Sequence, residues 1–77
     1  MKHTKKEVEE FLDYLKTELP ELRNLKLVTG DSRVGGLVGL VELNENGGYD
    51  IQSEFMECNE MYFFLQGYKE KAFNRYK

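Results

Sequence analysis

The chain has 77 residues, 14 acidic against 11 lysine and arginine side chains, a net charge of −3 and one cysteine. This is one domain, of a size that buries only about 60% of the surface its unfolded chain exposes, and the single Cys58 excludes an internal disulfide and suits a reducing cytoplasm. No apolar run approaches the roughly 20 residues needed to span a bilayer, and the opening "MKHTKKEVEE" follows its lysines with acids, unlike a signal peptide, so a soluble cytoplasmic protein is expected.

Thr4 followed by Glu7 forms a capping-box pattern, in which hydroxyl and carboxylate satisfy free N–H groups of a helix start. From there Val8, Phe11, Leu12, Leu15 and Leu19 recur on one face of a 3.6-residue period. Pro20 disfavours a helical Leu19 and ends the helix near Glu18. "NLKLVT" alternates Leu25 and Leu27 against Lys26 and Val28, as an edge strand does. "GDSRVGG" supplies turn chemistry, and "LVGLVEL" is apolar on both parities until Glu42, the pattern of a central strand.

A turn of three or five residues within "NENGG", with a glycine in the left-handed region, aligns Leu37, Val41 and Leu43 with Tyr49, Ile51 and Phe55. A two-residue Asn46-Gly47 turn would set Leu43 opposite Asp50 instead. The closing helix is capped by Asn59 or Cys58 and runs to about Arg75, with Met61, Phe64, Leu65, Tyr68, Ala72 and Tyr76 as its stripe. Basic residues near its end suit the negative pole of the helix dipole. The expected fold is α+β, a three-stranded antiparallel β-meander with N- and C-terminal helices packed on one face (αβββα). The helical stripes and the odd-numbered residues of the second and third strands are expected to form its core.

Motifs for chemistry are missing. Gly30 and Gly35 are spaced like phosphate-loop glycines, but Gly36 and Leu37 follow where a lysine and a hydroxyl residue are required, and a strand follows where a helix should. His3 and Cys58 have no partners at metal spacing, and Ser32 and Ser53 have no histidine in an ordered segment to activate them. No cofactor and no catalytic role are expected. Residues 1–6 carry three lysines and residues 69–77 four bases, while the body between them is acidic. An acidic body disfavours direct nucleic-acid binding.

Two surfaces stand out. On the expected solvent side of the sheet, Glu42, Asp50, Gln52 and Glu54 surround Val38 and Leu40, an acidic face with an apolar middle; the plain alternative is an ordinary solvated face. On the closing helix the core stripe leaves Phe63 pointing away, one turn from Gly67, with Tyr62 and Phe73 at the stripe's borders. That protruding ring suits a partner's groove or a homodimer, unless the first helix covers it. Arg33 is a candidate contact at a loop tip.

The closing pattern "NEMYFFLQGYKEKAF", after a glycine-containing hairpin and a short strand, resembles the ends of small proteins encoded by phages and other mobile elements of bacteria. The helix, three-strand, helix order with an acidic surface also looks like certain anti-CRISPR proteins, which block a host nuclease by occupying its nucleic-acid site. The basic ends depart from the strongly acidic members of that group. The resemblance implies a non-enzymatic interaction module that inhibits or modulates a host protein, with a nucleic-acid-binding protein as the candidate partner. The rival readings are a nucleic-acid-binding regulator, if the basic termini Lys2, Lys5, Lys6, Lys69, Lys71, Arg75 and Lys77 converge, and a structural oligomer subunit.

Overall fold

In the computed structural model, which describes residues 2–30 and 36–75 without the side chains of Ala72, Phe73 and Arg75, the first helix starts at its capping box. Helix α1 spans Lys5–Glu18. The Glu7 N–H donates to the Thr4 hydroxyl, and the Thr4 N–H donates back to Glu7 Oε1, each at 3.2 Å. Leu19, the residue before Pro20, is extended at φ −124° and ψ 90°, as the proline ring requires. A 3₁₀ turn at Pro20–Leu22 then carries the chain to the sheet.

Strands β1 (Leu25–Thr29), β2 (Val38–Leu43) and β3 (Tyr49–Met56) form an antiparallel meander with β2 in the centre, and helix α2 spans Cys58–Arg75. The order is αβββα. Cys58 is already helical, and Met61 N–H donates to the Glu57 carbonyl at 2.9 Å. The cap therefore falls at Glu57, ahead of both Cys58 and Asn59. The Asn59 side chain instead accepts from the His3 N–H at 2.6 Å.

The β2–β3 hairpin has the longer turn. Leu43 pairs with Tyr49 and Val41 with Ile51 across a five-residue loop. Asn44 holds that loop: its Oδ1 accepts from the N–H groups of Asn46 and Gly48, both at 3.0 Å, and Gly47 takes φ +84°. Further along, the register shifts between Val41 and Leu40 and again between Leu40 and Val38, so Leu40 faces Ser53 and Val38 faces Met56. The two shifts displace Leu37 from Phe55 and bring the alternation of the strands back into phase.

The sheet presents the opposite face to the helices from the one expected. Val38 and Leu40 are fully buried, in one core cluster with Val8, Leu12, Leu15, Leu19, Leu22, Leu25, Met61 and Leu65. Leu43, Tyr49, Ile51 and Phe55, expected inside, are exposed, and Val41 is half-buried. Pairing explains the inversion. Leu25 and Leu27 of β1 lie opposite Glu42 and Leu40, so the even residues of β2 share a face with the two β1 leucines. Burying a valine or leucine stabilises by roughly 1.5–3 kcal/mol, and this face offers four of them in one patch. The carboxylates of the same face sit at its hairpin end, where Glu42 is half-buried and Asp50 exposed; they are kept at the margin, and Val38 and Leu40 occupy the middle.

The helices lie side by side and parallel. His3, just before α1, stacks on Tyr62 near the start of α2, and Tyr14, late in α1, lies 5.4 Å from Lys69 Nζ. Lys2, Lys5 and Lys6 are thus at one end of the molecule. Lys69 and Lys71 lie about 2–2.5 turns beyond Tyr62 along α2, about 10–14 Å further on.

Candidate interaction groove

Phe63 is 67% exposed, and α1 does not cover it. The first helix packs against Tyr62 instead: the Tyr62 ring lies between His3, stacked at 3.7 Å and 4° from parallel, and Phe11, with centroids 4.6 Å apart. With both faces of its ring covered, Tyr62 contributes to the interior and to holding the N-terminus rather than to an aromatic docking surface with Phe63. Phe64 and Tyr68 are partly buried against the core, as the helical stripe predicts.

On the flank of α2 away from α1, Phe63 opens onto a groove of about 830 Å³. Phe63, Phe64, Gly67 and Tyr68 line it from α2, Glu42 and Gln52 from the hairpin end of the sheet, Glu21 and Leu22 from the 3₁₀ turn, and Lys71 further along α2. Gln52 Nε2 donates to Glu42 Oε1 at 3.3 Å, which orients that carboxylate. A Cβ placed on Gly67 would meet nothing within 4 Å, so the backbone there is bare.

The groove joins residues that the sequence assigns to two separate surfaces. Glu42 and Gln52 come from the acidic face, Phe63 and Gly67 from the aromatic helix. Glu54 is elsewhere, beside Ile51 and Phe55, and Asp50 is at the turn, where its Oδ1 accepts from Asn44 Nδ2 at 3.2 Å. Val38 and Leu40 are removed from the candidate surface by burial. Arg33 and the Phe73 side chain lie outside the described residues. Glu21, Tyr68 and Lys71 are additions that sequence alone does not place, because they come together only when the 3₁₀ turn and α2 meet beside the sheet.

Chemically, the groove sets aromatic rings beside the carboxylates of Glu21 and Glu42 and the ammonium of Lys71. A lysine or arginine side chain suits the rings and Glu42, through the ring face and through charge-assisted hydrogen bonds. Among the described residues, no helix is long and apolar enough to cross a membrane.

The fold and this surface define a small two-layer α+β domain with an aromatic and acidic groove between its second helix and its sheet. Comparison with protein-family models, with curated proteins and with solved structures finds no match for the chain.

Proposed function

We infer that this chain is a non-enzymatic protein-interaction module, an accessory protein of the kind that phages and other mobile elements encode, which binds a host protein and inhibits or modulates it. One observation carries this reading: Phe63, Gly67, Glu42 and Gln52 line a single groove. Its occupant is a basic segment of the partner, with a lysine or arginine beside Glu42 and an apolar neighbour on the Phe63 ring. A basic, nucleic-acid-binding surface of a host protein has this chemistry. Charge complementarity across such a contact speeds association more than it adds affinity.

The test is affinity capture from the source organism with the wild type, Phe63→Glu, Glu42→Lys and Ile51→Lys, followed by rate measurements with the captured partner. The groove reading expects Phe63→Glu and Glu42→Lys to lose the same partner that Ile51→Lys retains, and expects the wild-type on-rate to fall as salt rises. Equal recovery by all four proteins would remove the groove from the case. A mobility-shift assay across salt separates the nucleic-acid reading, which requires direct binding with a steep salt slope.

A further inference from the structure

The order β1-β2-β3 leaves β3 with a neighbour on one side only, and the bonds around it fix which of its backbone groups face outward. In an antiparallel pair, directly opposed residues alternate between exchanging both hydrogen bonds and exchanging none. Asn44 N–H donates to the Gly48 carbonyl at 2.8 Å, and Leu43 N–H donates away from β3, to the Asn24 carbonyl at 3.0 Å. The pairs that follow, Leu43 with Tyr49, Glu42 with Asp50 and Val41 with Ile51, are in unbroken register. Asp50 is therefore bonded to β2, and the N–H and C=O groups of Tyr49 and Ile51 point out of the sheet. Both residues are exposed, and among the described residues nothing bonds to these four groups.

Charge singles out this edge. Strand β3 carries Asp50 and Glu54 and no lysine or arginine. The other edge strand, β1, is five residues long and carries Lys26, a side chain that guards free strand edges against pairing. Helix α1 packs over β1 and α2 over β2, so the flank of α2 away from α1 is the β3 side. There Gln52 of β3 and Phe63 of α2 line one groove, with Glu42 behind them, and Asp50, paired with Glu42, shares that face of the sheet.

We propose that the outer edge of β3 receives an extended basic segment of the partner as an added strand, with arginine or lysine at alternate positions facing Asp50 and the mouth of the groove. The proposal deepens the groove reading and rests on it for the class of partner: the groove takes side chains, and the edge takes backbone. Two features name the occupant. Outward N–H and C=O groups on every second residue are matched by the backbone of another extended chain. The acids then choose its charge, because opposite charges across a strand pair stabilise it and like charges directly opposed destabilise it. A second copy fails on this count: antiparallel pairing through Tyr49 and Ile51 of both copies sets Asp50 directly opposite the same residue of its mate. The register shift beyond Ile51 keeps the added ladder short, so its affinity is low and its selectivity comes from the side chains it delivers.

The probe is a short peptide of alternating threonine and arginine with blocked ends, titrated into the full chain up to about 2 mM, which reaches weak affinities. At saturation, hydrogen exchange at the Tyr49 and Ile51 amides should slow about fivefold or more, while the Asp50 amide, already bonded to β2, changes less. Two further peptides, methylated at the amide nitrogen of every threonine or of every arginine, keep the charge but each block one backbone edge; one should lose binding and the other keep it. Ile51→Pro, which removes an outward N–H from an edge strand, should lose the peptide with an unchanged circular dichroism spectrum, and Ile51→Lys, which keeps that N–H, should bind it. The exchange readout on the wild type needs no variant to fold. Absence of binding, or equal binding by the two methylated peptides, overturns the proposal. Slowed exchange at Tyr49 and Ile51 that persists undiminished in Phe63→Glu and Glu42→Lys would keep the edge and remove the groove. Chemical shifts confined to Phe63 and Gly67, without slowed exchange, would keep the groove and remove the edge.

Discussion

The ring of Phe55 lies over the backbone of Gly39, so close that a Cβ at residue 39 would meet ring carbons at 3.1 and 3.2 Å. A glycine inside a central strand admits a close neighbour or marks a bulge. The register does shift on either side of Leu40, next to this glycine, but what approaches it is an aromatic ring on the face opposite the helices.

Gly39→Ala should therefore displace Phe55 and destabilise the protein by about 1 kcal/mol, the lower end of overpacking costs, because a half-exposed ring can move aside. In a Phe55→Ala background the same substitution should cost much less. Urea unfolding of the four proteins in a double-mutant cycle measures the coupling. Equal costs in both backgrounds would mean that the two residues do not press on one another.

The facing of the sheet has its own test. Leu40 is fully buried, so Leu40→Ala should cost about 2–5 kcal/mol, whereas Ile51→Ala, at 76% exposure, should cost under about 1 kcal/mol. Denaturation midpoints in the opposite order would place the helices on the odd-numbered face of β2.

At the N-terminus, the Glu7 carboxyl is held below its ordinary 4.5, first by the Thr4 backbone N–H and next by the His3 side chain. A depressed folded-state pKa contributes stability that is present above 4.5 and is lost as the pH falls through the lower, folded value. Glu7→Gln keeps an oxygen to accept from Thr4 but cannot titrate. Its melting temperature should fall less steeply than that of the wild type as acid is added below 4.5, with the two curves parallel at neutral pH. Identical acid limbs would show that the hydrogen bonds to Glu7 do not hold in solution.

Gly67 separates stability from binding. It is helical without a positive φ, and a Cβ there meets nothing, so Gly67→Ala should stabilise the helix by about 0.5–1 kcal/mol. If the bare backbone beside Phe63 receives a partner, the same methyl group should weaken capture at the groove. Thermal melts and partner binding measured together decide this: stability and binding that rise together would separate Gly67 from the contact. Phe63→Glu, at an exposed position, should move stability by no more than about 0.5 kcal/mol.

The resemblance to phage-encoded and anti-CRISPR proteins bears on function through architecture alone, and fold by itself does not specify a function. What the folded chain adds is a merger of the two suspected surfaces. Glu42 and Phe63 are 21 positions apart and on different elements, yet they share a groove. Burial of Val38 and Leu40 removes the apolar middle of the proposed acidic face, and the exposed apolar face is the reverse side, carrying Ile51 and Phe55.

Local chemistry was legible in most of the described elements, though not at the start of α2, where the cap is Glu57 rather than Cys58 or Asn59. Thr4 and Glu7 set the start of α1, Pro20 its end, Asn44 and Gly47 the hairpin, and the helical period singled out Phe63 against Phe64. Each follows from contacts or torsions within a few residues. The facing of the sheet was not legible, because "LVGLVEL" is apolar on both parities and register fixes only which residues share a side. That choice was made by the pairing of Leu25 and Leu27 with the even side of β2 and by the two helices, whose apolar residues share one core with Val38 and Leu40. Burial is a property of the assembled layers, so tertiary structure alone decided which apolar residues became core and which were left facing water.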